Sequence, residues 1–468
     1  MTTDIDEVYS LMPTRYPDAC AVAMTPTQNQ TFHTIEYLAR SNIIAWPNFT
    51  NCLPECGICT NFTTDHTYML YNLLVIGFLL PFISLCGLCG NGISAFIFSR
   101  PSMRSSTNLY LCCLECSDIA VICTALIVFF VDSIRRYSLP LSIIYGVLAS
   151  VAYPAGLIAQ TCSVYFTLLA AIDCFARVCL PEKCRRIINR IQFARVFCCI
   201  IVVFAVLYNV PRFYENIAFE CWHPRFGSSS LEVCPTPMRF NGTYLYIYYH
   251  ILYTVFLAIG PLILLIILNT CIIVASVVLK RGNTEDNASL ILVVFLFISC
   301  NVIALILNVF EETLEEHLEW RINYLVDVSN LLVVFNSSFN FIIYYNFSKT
   351  FKRAFLHYFF PDKNSRKHRH NPTSKALIVE NGNRNFTPNS TVLLTTTTTR
   401  LNEPMAQFSY ACCESPETES DVNCGNCSGQ ATVASTSDLS STAIVPPPKA
   451  YQNSVAKIFN FSKTEVLI

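Results

Sequence analysis

Seven stretches of the chain carry long, nearly unbroken runs of apolar residues. They lie at Leu70–Phe98, Leu109–Val131, Ile143–Phe175, Phe193–Val210, Tyr244–Leu279, Ala288–Phe310 and Ile322–Phe347. Each approaches or exceeds the ~20 mostly apolar residues that a helix needs to cross hydrocarbon, the fourth being the shortest. An odd number of crossings puts the two ends of the chain on opposite sides. After the last run, SKTFKRAFLHYFF sets Phe351, Ala354, Phe355, Tyr358 and Phe359 at helical spacing, with Lys352 and Arg353 opposite and Ser348 as the cap. That pattern predicts a helix lying on the membrane surface over 348–360. Residues 1–67 are polar and irregular, and 361–468 are rich in Ser, Thr, Asn and Pro, including TTTTT at 395–399. The last segment has too little apolar surface to fold and is expected to be disordered. The fold class expected is an all-α membrane protein, with 68–347 as a seven-helix bundle.

Composition agrees with this pattern. The 468 residues are 53% hydrophobic and 13% charged, whereas soluble domains run near a quarter charged. A net charge of −1 gives no reason to expect nucleic acid. Charge placement sets the orientation. Residues 48–67 hold no Lys or Arg, while Arg177, Lys183, Arg185, Arg186, Arg190 and Arg195 follow the third run. Lys349, Lys352, Arg353, Lys363, Arg366, Lys367 and Arg369 follow the seventh. Cations mark the cytosolic side, so the N-terminus is expected outside and the C-terminus inside. The opening MTTDIDEVYS lacks a signal-peptide pattern, and the first run is expected to act as the membrane signal.

Exterior sequons at Asn29, Asn48, Asn61 and Asn241 predict glycans. Similar triplets at Asn385, Asn389, Asn426 and Asn460 in the cytosolic tail show that sequons alone do not assign a side. Of 24 cysteines, six fall in the predicted exterior: Cys20, Cys52, Cys56, Cys59, Cys221 and Cys234. Six cysteines allow 15 pairings. Cys221 and Cys234 bracket a loop and are the expected pair; a link from either to the N-terminal group is the alternative. In the tail, Cys412, Cys413, Cys424 and Cys427 contain one CxxC, more in keeping with unbound or lipidated thiols than with zinc. The terminal EVLI has the form of a weak PDZ-type ligand.

Polar side chains inside the apolar runs are costly and tend to face one another or a wet cavity. Asn91, Asp118, Ser163, Asn336, Ser337 and Asn340 are such residues, and Asn336 and Asn340 stand one helical turn apart. Together they form either a buried oxygen-rich cluster for a small cation or a polar zipper between helices. Glu115, three residues before Asp118, is a further buried acid without an evident role.

These residues also carry a resemblance. Gly90–Asn91, Asp118 ending LECSD, Asp173 ending the third run, Pro261 in the fifth and NFIIY at 340–344 resemble the rhodopsin-like (class A) G protein-coupled receptors. Within that class the chain looks most like invertebrate FMRFamide-type neuropeptide receptors. The stretches are SRPSMRSSTNLYL (99–111), AQTCSVYFTLL (159–169), YNVPRFYE (208–215), SCN (299–301) and NSSFNFIIYYNF (336–347). The resemblance implies a plasma-membrane receptor, not an enzyme, without a cofactor beyond an allosteric sodium ion. That ion would be held by Asp118, Ser163, Asn336, Ser337 and Asn340, a donor set suited to a hard cation.

Departures from the family are as specific. Asp173-Cys174-Phe175 stands where Asp/Glu-Arg-Tyr is usual, and a cysteine supplies neither positive charge nor a forked hydrogen bond. Asp173 is expected to pair with Arg177, four residues on and a turn nearer the cytosol. With Tyr344 these residues make the switch that faces the G protein. Cys300-Asn301-Val302-Ile303 replaces Cys-Trp-x-Pro, and Phe341 replaces the proline usual after Asn340. Ala149 occupies the outer end of the third run where a cysteine is usual, which adds weight to Cys221–Cys234.

On the ligand side, Glu311, Glu312, Glu315, Glu316 and Glu319 read by themselves as a solvated, charged loop, and the resemblance implies instead an acidic rim that would attract a cationic Arg-Phe-amide tail. Tyr153, Gly156 and Gln160 share a face below it, and Gln160 can both donate to and accept from an amide. Tyr246, Tyr249, His250 and Tyr253 are expected to stack on the ligand or form an interfacial belt. The expected function is a neuropeptide receptor acting through a heterotrimeric G protein. The alternative is a peptide-binding decoy or arrestin-biased receptor, favoured by Cys174 and by a Ser/Thr-rich tail suited to receptor kinases and arrestin.

Overall fold

Seven helices are long and apolar enough to cross a membrane: His66–Phe98, Ser106–Arg135, Leu139–Cys179, Ile191–Tyr214, Gly242–Ser276, Ala288–Leu307 and Ile322–Phe347. The computed structural model describes residues 20, 25–59, 65–278, 284–310, 314, 317, 318 and 321–360. The sequence expectations for the tail from 361 onward lie outside the described residues. The spans extend the predicted apolar runs mainly at their ends, because a helix continues until its backbone meets a cap or a breaker. Ser105 caps the second span by accepting from the Asn108 amide at 3.1 Å.

The bundle has the burial pattern of a protein in lipid. Phe78, Leu207 and Phe295 are 70%, 66% and 66% exposed on its outside, whereas Asn91, Asp118 and Ser94 are 0% exposed within it. Polar groups inside a bundle must find partners in neighbouring helices. Asn91 Nδ2 accordingly donates to the Ser337 carbonyl at 2.7 Å, tying the first span to the seventh. Gly87 permits that approach, since a Cβ there would collide with the Ser338 side chain.

After the seventh span, Ser348 Oγ accepts from the Phe351 amide at 3.2 Å and starts the helix Lys349–Phe359. Phe351 is fully buried, in ring contact with Phe98 at 5.2 Å and Tyr344 at 5.6 Å. The helix's apolar stripe packs on the bundle; Lys352 and Arg353 are exposed, with Lys352 Nζ over the Tyr345 ring at 5.2 Å.

The predicted exterior is more ordered than its irregular sequence suggests. A helix, Pro26–Arg40, opens with a capping box at Thr25 and Gln28. A short pair follows, β1 (Phe49–Thr50) and β2 (Leu53–Pro54), and the loop after the fourth span folds into an antiparallel hairpin, β3 (Asn216–His223) and β4 (Ser228–Pro235). Alternate hairpin residues Phe219, Cys221, Ser230, Glu232 and Cys234 are buried, the period-two signature of a sheet with one covered face.

The disulfides correct the sequence reading. Cys20 joins Cys52, Cys56 joins Cys221 and Cys59 joins Cys234. A Cys221–Cys234 bond is excluded by register: Cys221 pairs with Ser230, and Cys234 with Ile217. Four residues of strand separate the two cysteines by roughly 13 Å, beyond a disulfide's reach. The N-terminal alternative is the one present. Glu232 reinforces it, accepting from the Gly57 and Cys59 amides at 2.7 and 2.9 Å.

The hairpin is also seated on the third span. Ser142 Oγ and Ser230 Oγ lie 2.8 Å apart, and Leu231 rests on Gly146, where any Cβ would overlap its side chain. Gly146→Val is therefore expected to lift the hairpin and cost about 1–3 kcal/mol. The check is the thermal midpoint of the purified protein, with Gly92→Ala as a neutral control because nothing lies within 4 Å of its added carbon.

Candidate functional site

Polar centres lie at several depths among the described residues of the bundle. At mid-depth, Asp118 Oδ1 accepts from Ser163 Oγ at 2.8 Å and Ser337 Oγ at 3.0 Å, while Oδ2 accepts from Asn340 Nδ2 at 2.7 Å. Spans two, three and seven thus converge on one carboxylate. Asn336 is half-buried and is not among these partners; the seventh-span residues that reach Asp118 are Ser337, about 100° further round the helix, and Asn340, one turn on. Three neutral donors leave the carboxylate's charge uncompensated. Carboxylate and hydroxyl oxygens are the donors that a hard monovalent cation takes, so the residues present fit such an ion.

At the predicted cytosolic end, Asp173 is 1% exposed. It accepts from Ser106 Oγ at 2.8 Å and from Thr107 Oγ1, both at the start of the second span. Arg177 Nε lies 3.8 Å away, with its side chain 40% exposed. The hydroxyls do most of the holding, since a half-exposed ion pair contributes little. The sequence signal for them was SST at 105–107, readable only once the second and third spans were known to meet there. Cys174 is buried in the largest apolar cluster, with Phe98, Met103, Tyr110 and Tyr344, and Phe175 packs against its edge. The thiol position is therefore part of the core.

The outer end holds the largest surprise. Arg212 and Glu215, in YNVPRFYE, are 4% and 0% exposed and form an ion pair at 3.3 Å. Glu215 also accepts from Tyr244 OH at 2.6 Å and Tyr249 OH at 2.9 Å. The Arg212 guanidinium donates to the Tyr249 hydroxyl and lies over the Tyr249 and Tyr248 rings at 4.1 and 5.0 Å. Tyr153 interacts with it electrostatically from the third span. Tyr253 and Gln160 are buried nearby in sequence register, at 8% and 5% exposure, with Gly156 buried between Tyr153 and Gln160.

Tyr246, by contrast, is 62% exposed. The fifth span is wound with i→i+5 hydrogen bonds over Leu245–Ala258, so residues five apart share a face. Tyr248, Tyr253, Leu257 and Ala258 are the buried residues among those described in this segment, so Tyr248 and Tyr253, five apart, share the inward face. The side chain of His250, and Glu311, Glu312, Glu315, Glu316 and Glu319, lie outside the described residues. The acids described at the mouth are others. Asp327 accepts from Tyr68 OH at 3.1 Å and Asn72 Nδ2 at 2.9 Å, and with Asp132 lines a small cavity between spans one, two and seven. Of the sequon asparagines, Asn29, Asn48 and Asn241 are exposed, and Asn61 lies outside the described residues.

This arrangement of seven spans around a buried acid, with a hairpin over the outer mouth, is that of a membrane receptor. Residues 90–344 match the family described as 7 transmembrane receptor (rhodopsin family), and the chain belongs to that family. It is a multi-pass receptor and not an enzyme. Among curated relatives it is 40% identical over 326 residues to the probable G-protein coupled receptor frpr-1 of Caenorhabditis elegans, covering 65% of this chain and 85% of that one. It is 34% identical over 311 residues to the FMRFamide receptor of Drosophila melanogaster, covering 62% and 55%. It is 30% identical over 292 residues to the FMRFamide peptide receptor frpr-18 of Caenorhabditis elegans, covering 58% and 66%.

Proposed function

We propose that the protein is a plasma-membrane receptor for Arg-Phe-amide (FMRFamide-like) neuropeptides, with its N-terminus outside, signalling through a heterotrimeric G protein. The observation that carries this reading is the likeness to two relatives named for FMRFamide, at 34% and 30% identity. The chemistry of the outer mouth supports it. A ligand ending in Arg-Phe-amide brings one cation, one aromatic ring and a neutral amide. Asp327 and the rim at Glu311 and Glu312 attract the cation, Asp132 being paired with Arg135 at 2.7 Å. Tyr153, His250 and Tyr253 offer aromatic faces, Gln160 pairs with the amide, and Gly156 leaves it room, while the Tyr249 ring is engaged by Arg212.

In the same reading Asp118, Ser163, Ser337 and Asn340 hold a sodium ion in the resting receptor, where the ion's charge offsets the buried carboxylate. Raising sodium is expected to lower agonist affinity, and Asp118→Ala to remove that response. Agonist affinity independent of sodium in the unmodified receptor would count against it.

A second reading, a peptide-binding receptor with lost or arrestin-biased coupling, is favoured by one observation: Cys174 is buried where an arginine would face the G protein. The test is G-protein activation by a panel of Arg-Phe-amide peptides at cells expressing the receptor and its Cys174→Arg variant. A response from the unmodified receptor supports the first reading. A response from the variant alone supports the second, and peptide binding by neither sinks both.

A further inference from the structure

At the predicted cytosolic end, a cavity of about 380 Å³ lies between the loop joining the first two spans and the start of the fourth. Arg100 and Arg104 line it from that loop, and Arg195 lines it from the fourth span. Leu109, Cys112 and Ile191 supply an apolar wall, and no described Asp or Glu lines it. Among the described residues none of the three arginines is in an ion pair. Three permanent cations around one cavity repel each other unless an anion joins them.

The loop that carries two of them is held by its own backbone. The Met103 amide donates to the Arg100 carbonyl at 2.9 Å, and Asn108 Nδ2 donates to the Met103 carbonyl at 2.7 Å. The Arg100 guanidinium lies over the Phe96 ring at 3.6 Å, with the Tyr358 ring at 5.6 Å. Rings occupy the faces of a guanidinium and leave its edge to donate. Arg100 Nε is buried and has no hydrogen-bond partner among the described residues. Ser105 Oγ, also on the cavity, accepts from the Asn108 amide at 3.1 Å and keeps its own proton to donate. Guanidinium edges and a hydroxyl are the donors that a phosphate takes.

The apolar wall leads from the cavity toward the middle of the bilayer. Spans two and four touch there, with Cys113 Sγ and Cys198 Sγ 3.7 Å apart. Cys116 stands one turn beyond Cys112, and Cys199 one turn beyond Arg195; both are exposed, small and apolar. We propose that Arg100, Arg104 and Arg195 bind the head of an anionic phospholipid bearing a phosphomonoester, with its acyl chains lying along spans two and four. A phosphomonoester brings about −1.5 to −2 charges, and the lipid's own phosphodiester brings the head close to the charge of three arginines. A head of single net charge falls short of it. The proposal rests on the orientation given above, since anionic lipids concentrate in the cytosolic leaflet. Because the lipid would join the loop to the fourth span only in the folded receptor, it stabilises that fold.

The test uses the full-length receptor in phosphatidylcholine nanodiscs containing phosphatidylinositol monophosphate, or phosphatidylserine at equal total charge. Native mass spectrometry counts the lipid that stays bound. Retention of the phosphorylated lipid over phosphatidylserine is expected. Arg100→Gln, Arg104→Gln and Arg195→Gln should each lower that retention about fivefold, the worth of one basic side chain at an anionic leaflet. Arg195→Lys, which keeps the charge, should lose less. The phosphorylated lipid should also raise the thermal midpoint of the unmodified receptor, and the triple variant should lose that rise. If a variant fails to fold in phosphatidylcholine alone, the unmodified receptor still decides by its preference between the two lipids. Equal retention of both lipids would overturn the proposal, as would an equal loss from Arg185→Gln, which lies outside the cavity. Displacement by the soluble inositol phosphate head at the same concentration would assign the cavity to a free phosphate and overturn the lipid. No peptide or G protein takes part and a nanodisc offers both leaflets, so the result is independent of the proposed ligand and orientation.

Discussion

Arg212→Met is expected to cost about 3–5 kcal/mol, enough to remove most folded receptor from the cell surface. The loss of the ion pair is the smaller part of this. Glu215 is 0% exposed, and without the guanidinium its charge stays buried with only the hydroxyls of Tyr244 and Tyr249. The rings of Tyr248 and Tyr249 lose the cation over them as well, which adds about 0.5–2 kcal/mol. Because the harm lies in the orphaned charge, Arg212→Met combined with Glu215→Leu should be milder than Arg212→Met alone. Surface expression and the thermal midpoint of the purified protein measure both. A single variant as stable as the unmodified receptor, or a double variant worse than the sum of the singles, would contradict the account.

Severing the two bonds between the N-terminal segment and the hairpin is the other large effect. Cys221→Ser and Cys234→Ser are each expected to cost about 2–5 kcal/mol, since they open covalent loops of 165 and 175 residues. Residues 55–59 are held by those bonds together with the Glu232 contacts and the Cys56 amide, which donates to the Trp222 carbonyl at 2.8 Å. Without the bonds the segment should become open to limited proteolysis, and affinity for peptide should fall as the covered mouth loosens. Mass spectrometry of the unreduced digest decides the pairing directly. Peptides linking Cys56 to Cys221 and Cys59 to Cys234 are expected, and a Cys221–Cys234 peptide would refute the arrangement.

Both effects rest on residues that a linear reading passes over. YNVPRFYE was visible as a resembling stretch, but nothing in it says that Arg212 and Glu215 turn inward together. The six exterior cysteines were identifiable from orientation alone; their partners were not, because pairing depends on the strand register of a hairpin that the sequence does not announce. Asn336 shows the same limit at finer scale. Helical spacing brackets it with Asn340, yet which ridge of the seventh span meets Asp118 depends on how the helices are rotated. In the fifth span the i→i+5 winding leaves Tyr246 exposed and buries Tyr248, while Tyr249 and Tyr253 stay inside as helical spacing expects.

What the sequence determined by itself is therefore local and additive: seven crossings, the amphipathic helix at 349–359 with its Ser348 cap, and the residue types available inside. Each follows from the transfer free energy of short segments and from neighbouring side chains. The tertiary structure alone decided which polar groups meet. The Asp118 cluster, the hydroxyls on Asp173, the tyrosines gathered on Arg212 and Glu215, and the N-terminal disulfides all join residues from different helices or loops. A buried charge takes the partners that packing brings within about 3 Å, and packing is a property of the whole bundle.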